Sequence, residues 1–244
     1  MRRFISSLLL CCLGLSTVAN AHDLILYVGD NPPFNSFTNR QPEGMAVEVV
    51  AEMLARSGIS SIQKDYPWAR AVENVARNPN QCAYTMGRIA EREKKYSWIG
   101  PIASIQGVFF GLSERHLQVK SLDDARKLRV GDIRQGANAV MLEKLGFTID
   151  YANSEDQNLK KLLAGHIDLY PAGSFATGEI AKRLGIAPNK IEPLMIFNTV
   201  DLYLACNPNS KPQLLEQLQK SLDSMRSDKK LKQIYDKYQD KFAS

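Results

Sequence analysis

From Leu24 onward, short apolar runs alternate with stretches of helical spacing, and this alternation constrains the chain more than any other feature of its sequence. Leu24 to Val28 reads as a strand and Gly29-Asp30-Asn31-Pro32-Pro33 as a loop. Val47, Val50, Ala51 and Leu54 then mark one face of a helix stopped by Gly58. The strand pattern recurs at Ile62 to Tyr66, with a helix opening at Pro67, and at Cys82 to Met86, with a short helix ending near Lys95. Strands that alternate with helices build parallel-type sheets covered on both faces, because each crossover helix must bury its apolar stripe against the sheet.

A second set follows residue 112. Ser121 to Lys127 reads as a short helix, Leu128 to Asp132 as a strand, Ala137 to Leu145 as a helix, Phe147 to Tyr151 as a strand and Ser154 to Ala164 as a helix. Ser154-Glu155-Asp156-Gln157 is a capping box and Gly165 the matching stop. Ile167 to Tyr170 and a helix to Leu184 complete the series. Two sets predict an α/β protein of two lobes. Gly107 to Leu112 and Val200 to Ala205 are apolar and have no helix of their own, so they serve as two hinge strands passing between the lobes. Everything after Ala205 is helical and returns to the first lobe, with Leu215, Leu218, Leu222 and Met225 on one face and Leu231, Ile234, Tyr235, Tyr238 and Phe242 on another. The expected division is 22–110 with 201–244 in lobe 1 and 111–200 in lobe 2.

Ahead of this pattern, Met1-Arg2-Arg3, the apolar Phe4 to Leu15 and the small-x-small Ala19-Asn20-Ala21 read as a secretory signal covering residues 1–21 and cleaved after Ala21, which places the mature chain in the periplasm. The apolar run is too short for a membrane span, and Leu10 ahead of Cys11-Cys12 argues against lipidation. The formal charge of +5 falls by two with Arg2 and Arg3, and the remaining cations are scattered, so no nucleic-acid surface is expected. Apolar residues at 44% and charged residues at 23% exclude a disordered chain.

Cys82 and Cys206 are too far apart in sequence for a metal knuckle, and neither a metal nor a cofactor is implied. If the Val200 to Cys206 strand lies antiparallel beside Cys82 to Met86, both cysteines fall at the end remote from a cleft. A disulfide and two buried thiols both fit that placement.

Ligands of open α/β sheets sit at the carboxyl ends of the strands, where helix amino termini present free N–H groups. In lobe 1 those loops hold Asp30, Phe34, Trp68, Arg70, Thr85, Arg88 and Arg92; in lobe 2 they hold Gln135, Gly136, Ala137, Asn138 and Ser174. Arg70, Arg88 and Arg92 lie near helix starts, where a cation opposes the helix dipole, so each calls for an anion. A solute carboxylate held by a guanidinium fork answers that need, as does an ordinary pairing with Glu73 or Glu91. Trp68 and Phe34 are the expected apolar walls. The sequence holds no G-x-S-x-G, H-E-x-x-H or Walker loop, and of its three histidines His116 and His166 fall in turns while His22 would become the new amino terminus. No catalytic residue is assigned.

The Pro-Pro-Phe of Leu24 to Phe37, Arg92 followed by Trp98 and Pro101, Ser121-Leu122-Asp123-Asp124, Gln135-Gly136, Gly165-His166-Ile167-Asp168 and the helical tail together resemble the family 3 periplasmic solute-binding proteins, the polar amino acid binders of bacterial ABC importers. Pro67-Trp68-Ala69-Arg70 and Arg88-Ile89-Ala90-Glu91-Arg92 are similar to a divergent branch of that family. The resemblance implies a type II periplasmic-binding-protein fold, a carboxylate grip at Arg92 and backbone donors near Gly136-Ala137. Gly87 and Ile89 stand where the family usually has hydroxyl residues, and Gly173, beside Ser174, where it has the acid for an α-ammonium. It further implies a monomer that captures a small carboxylate-bearing solute, an amino acid or a relative, for an ABC permease or a receptor at the inner membrane. The competing expectations are an enzyme on the same scaffold, resembling cyclohexadienyl dehydratase with Asp30 as its loop carboxylate, and a ligand-sensing module.

Overall fold

The computed structural model describes residues 23–238, so the signal reading, His22, the Cys11-Cys12 pair and Phe242 lie outside the described residues. The first lobe is built on parallel strands β1 (Leu24–Tyr27), β4 (Ser61–Lys64) and β5 (Gln81–Gly87), after a small hairpin of β2 (Ser36–Thr38) and β3 (Gln41–Glu43). Two long strands, β6 (Ser97–Leu112) and β10 (Ile191–Cys206), extend this sheet in the order β4-β1-β5-β10-β6-β9, with β9 (Tyr170–Gly173) on the far edge. Strands β7 (Val130–Ile133) and β8 (Ile149–Ala152) pair in parallel, and a bridge from Val130 to Leu169 ties β7 to the start of β9.

Strands β6 and β10 pair antiparallel along their whole length. They are far longer than the hinge segments expected from sequence, because Pro101 and Pro193 interrupt the apolar patterning. The fold places both prolines at ladder irregularities: the register jumps from Leu202↔Ala103 to Leu204↔Ile99 and from Pro193↔Phe110 to Met195↔Phe109. A bulge is where a strand tolerates a residue without an N–H.

The helices cover both faces of each lobe. Helix α1 (Met45–Ser57) buries Met45, Val49, Val50 and Met53 and ends at Gly58, whose φ of 69° is the left-handed stop that glycine adopts freely. Its partners are α7 (Pro212–Ser227) and α8 (Lys230–Asp236), whose Leu218, Leu222, Met225 and Ile234 join Leu24 and Leu26 in one core. Helix α2 (Trp68–Arg77) covers the other face with Ala71, Val72 and Val75.

In the second lobe, α5 (Glu155–Leu163) and α6 (Ala176–Arg183) cover one face, while α3 (Leu122–Arg126) and α4 (Ala137–Lys144) pack on the other. The α5 start is a reciprocal cap, in which the Gln157 N–H donates to Ser154 Oγ at 3.2 Å and the Asn153 N–H to Gln157 Oε1 at 2.9 Å. Along β6 the side chains change core between Ile105 and Val108; along β10 they change between Phe197 and Leu202. No helix among the described residues is long and apolar enough to cross a membrane.

Candidate functional site: a cavity between two lobes

A cavity of about 130 Å³ lies where the carboxyl ends of β1, β5 and β7 meet the middle of β6 and β10. The first lobe contributes Asp30, Asn31, Asn35, Trp68, Thr85 and Arg92; the second contributes Asp132, Gly136, Ala137, Asn138 and Glu155. Ile105, Val200 and Leu202 from the long strands form an apolar floor.

Arg92 is the most buried charged group of the first-lobe wall, at 4% exposure. A short 3-10 helix, Ala90–Arg92, turns it inward, and its guanidinium donates to Gly87 O at 3.3 Å and across the cleft to Gln135 O at 2.6 Å. Among the described residues Arg92 forms no ion pair, and burial pulls its guanidinium below the ordinary arginine value. A carboxylate placed against it gains charge-assisted hydrogen bonds in a setting poor in water. Trp68 Nε1 donates to the same Gln135 carbonyl at 2.6 Å, so two donors of lobe 1 converge on one backbone oxygen of lobe 2. Gln135 presents that oxygen from a φ of 60°, and Thr85, a β-branched residue, sits at 40°. Both are uncommon for residues with a side chain, and such conformations gather at ligand sites. Thr85 Oγ1 accepts from Asn31 Nδ2 at 3.3 Å and donates to Asn35 Oδ1, fixing the polar edge of the first lobe.

Asp30, Trp68, Thr85, Arg92, Gly136, Ala137 and Asn138 thus stand together on the cavity wall, and Gln135 takes part through its carbonyl. Phe34, Arg70, Arg88 and Ser174 are elsewhere. Phe34 is 1% exposed inside the first-lobe core, edge-on to Phe175. The Arg70 guanidinium lies over the Tyr66 ring, 4.5 Å from its centroid. Arg88 is ion-paired to Glu93 and faces the rings of Trp98 and Tyr203. Ser174 donates its N–H to Gln106 O at 2.9 Å, and its hydroxyl is buried off the cavity.

Among the wall residues not singled out from sequence, besides Asn31, Asn35 and the residues of the long strands, are two acids. Asp132 was read only as the end of a strand and Glu155 only as part of a helix cap. The usable signal was an acid at the carboxyl end of a strand in an open α/β sheet. Removal from solvent raises both carboxyls, that of Glu155 to about 7 and that of Asp132 well above the ordinary carboxylate range. Gly173 also lines the cavity, and Ile105 already fills the space beside it: a β-carbon there would lie 2.3 Å from Ile105 Cδ1.

Two α/β lobes bridged by a pair of long antiparallel strands, with a walled cavity between them, define a solute-binding protein of the periplasmic-binding fold. More narrowly, the chain belongs to the bacterial extracellular solute-binding proteins, family 3, which it matches over residues 24–241. Similar solved structures include a histidine kinase sensor domain with similarity to periplasmic binding proteins (TM-score 0.80, 17% identity, covering 89% of this chain and 96% of that one). The arginine-, lysine-, histidine-binding protein ArtJ from Geobacillus stearothermophilus is similar at TM-score 0.77 and 17% identity, covering 88% and 94%. The GluR0 ligand-binding core from Nostoc punctiforme, in complex with L-glutamate, is similar at 0.74 and 17%, covering 88% and 98%. Among curated proteins no sequence match is found.

Proposed function

We propose that the protein is exported by its amino-terminal signal, works in the periplasm as a monomer, and traps a small carboxylate-bearing solute by closing its lobes at residues near 105–108 and 197–202. The solute, an amino acid or a relative, is then delivered to an ABC importer. The observation that carries this reading is Arg92: a guanidinium that is buried, without an ion pair among the described residues, on the wall of an interlobe cavity. Arg92 grips the carboxylate; Gly136, Ala137 and Asn138 close from the other side; Trp68 and the β6 and β10 side chains wall the apolar part. Contacts to both lobes make the closed state tighter-binding than the open one, so capture and closure are one equilibrium.

Replacing Arg92 by Ala should weaken binding by about 1.5–3 kcal/mol, the contribution of a charged hydrogen bond. Titration calorimetry against a panel of amino acids and organic acids reads this directly, and unchanged affinity removes Arg92 from the site. A sensory role is the second reading, favoured by the likeness to a kinase sensor domain. In-cell cross-linking from surface positions separates the two, by capture of a permease or of a receptor kinase. Recovery of the bound solute unchanged after prolonged incubation separates binding from dehydratase-like turnover.

A further inference from the structure

The Pro67-Trp68-Ala69-Arg70 motif has one member that the cavity leaves unused. Arg70 lies in the first turn of α2, where a cation opposes the helix dipole and no acid accompanies it. Its guanidinium covers the Tyr66 ring at 4.5 Å, and that ring meets the buried Tyr27 at 5.3 Å, so the charge is the outer layer of a stack rooted in the first-lobe core. The second lobe carries a matching arrangement. Arg134, between β7 and α4, covers the Tyr151 ring at 4.9 Å. Both arginines are exposed, and among the described residues neither forms an ion pair or a side-chain hydrogen bond. Other exposed arginines have an acid: Arg77 has Glu73, Arg88 has Glu93, and Arg183 has Asp30 and Asp156. Arg40, in the turn between β2 and β3, and the buried Arg92 are without an ion pair too. Asp65, beside Tyr66, and Glu143, whose charge acts on Tyr151, belong to the same regions and pair with neither Arg70 nor Arg134. A guanidinium lying flat on an aromatic ring uses its face there and keeps its edge N–H groups, the fork that meets a carboxylate with two hydrogen bonds.

The two arginines flank one contact across the cleft. Trp68, two residues before Arg70, donates to the carbonyl of Gln135, the residue after Arg134. Separation of the lobes carries Arg70 away from Arg134, so they stand as a pair only when that contact is made. We propose that Arg70 and Arg134 are the two halves of a docking surface for an acidic peptide segment of the membrane partner, complete only while the lobes are together; this rests on the reading of a cleft that closes. One carboxylate of the segment meets each guanidinium. A partner that grips both lobes binds the closed form better than the open one, and that difference lets it tell a loaded molecule from an empty one. The arrangement favours a peptide over a lipid surface, because attraction to anionic lipid needs a dense cluster of cations and the cations of this chain are scattered. Two forks at fixed places, one on each lobe, suit carboxylates at fixed spacing.

The test uses two end-blocked, fluorescently labelled peptides, hexaglutamate and diglutamate, followed by anisotropy at low salt. Hexaglutamate should bind at least about fivefold more tightly than diglutamate, because anchoring one carboxylate raises the effective concentration of the next. R70E and R134E should each remove that advantage, and R70K should remove most of it, since an ammonium keeps the charge but has no planar fork. K220E, on α7 at the opposite face of the first-lobe sheet from α2, should leave it unchanged. If a reversed charge prevents folding, R70Q and R134Q decide. Equal binding of the two peptides by wild type, an equal loss in K220E, or a loss confined to one of the two arginines overturns the surface. Binding to phosphatidylglycerol vesicles that both reversals abolish, without binding of hexaglutamate, assigns the arginines to a membrane and overturns the peptide reading. A member of the amino acid and organic acid panel that binds should tighten hexaglutamate but not diglutamate, and hexaglutamate should tighten that solute by the same factor; independent binding overturns the dependence on closure. R70E and R134E should keep solute affinity within about threefold, because neither arginine lines the cavity. A loss as large as that in R92A moves the arginine into the solute site and overturns the docking role. If no panel member binds while hexaglutamate depends on both arginines, the surface stands and the Arg92 reading falls; the reverse pattern overturns the surface alone.

Discussion

Asp168 is held by two arginines that approach it from separate stretches of the second lobe. The Arg129 guanidinium donates to both of its oxygens, at 2.7 and 3.0 Å, the Arg129 N–H donates to Oδ2 at 2.9 Å, and Arg115 adds an ion pair. The Asp168 side chain is 7% exposed, whereas Arg129 is 57% and Arg115 36% exposed, so solvent screens part of the attraction. Hydrogen bonding to Arg129 lowers the Asp168 carboxyl well below its ordinary value of 3.8. Its stabilising contribution is therefore complete above that value and is lost as pH falls through the folded value. D168N should destabilise the protein by about 2 kcal/mol at neutral pH, with a difference from wild type that shrinks in melts below pH ~3.8 and with solute affinity unchanged. A constant difference down to strongly acidic pH would assign the loss to packing and not to charge.

At this scale the sequence separated chemistry from scaffold only in part. Arg88 and Arg92 follow the same strand and both suit an anion, yet Glu93 lies within reach of Arg88 and takes it, while the short turn at Ala90–Arg92 points Arg92 inward. Asp132 and Glu155 each had a sufficient local explanation, as strand end and helix cap, and only the tertiary fold brings them to one cavity.

Among the elements, β5 and β10 are joined covalently where Cys206 pairs opposite Cys82, with a sulfur–sulfur distance of 2.01 Å. The antiparallel placement that makes this pairing feasible entered the sequence reading only as a condition, and granting it still left the bond open, since buried thiols fit the same positions. The link closes a loop of 124 residues at the start of β5, while the cavity residues Thr85 and Gly87 lie towards its other end. Constraining the unfolded chain over that span is worth roughly 4–5 kcal/mol in the chain-entropy model. Cys82→Ser with Cys206→Ser should therefore lower stability to chemical denaturation by an amount of that order while leaving solute affinity within twofold; a large loss of affinity would tie the bond to the cleft. The strand–helix alternation was readable wherever glycine and capping residues punctuate it, as at Gly58, Ser154 and Gly165. The long strands were legible only over their apolar stretches, Gly107 to Leu112 and Val200 to Ala205, because the rest of each mixes polar residues and a proline into the pattern.

For the whole molecule, closeness of the lobes rests on a few polar contacts across the cleft. Trp68 and Arg92 donate to Gln135 O, and a surface ion pair of Asp30 with Arg183 involves side chains 40% and 42% exposed, a setting in which such a pair contributes about 0–1 kcal/mol and is screened by salt. Shape matters more. Gly87 ends β5 against the start of α4, and a β-carbon on it would lie 2.9 Å from both Ala137 Cβ and Val200 Cγ1. Neither atom is the tip of a long flexible side chain, so a larger residue has to be accommodated by moving the lobes apart. Gly87→Val should leave each lobe folded but bias the molecule towards an open form: a larger radius of gyration in solution scattering with solute present, and affinity weakened at least tenfold. R183A should change affinity by less than a few-fold, and by less again at high salt. Because a solute shifts the equilibrium only by its differential affinity for closed over open states, a valine that blocks contact between Gly87 and Ala137 removes the gain from the second lobe and leaves only what the first lobe supplies. Wild-type affinity in Gly87→Val would mean that the solute is held by one lobe alone and that the cleft does not work by closure.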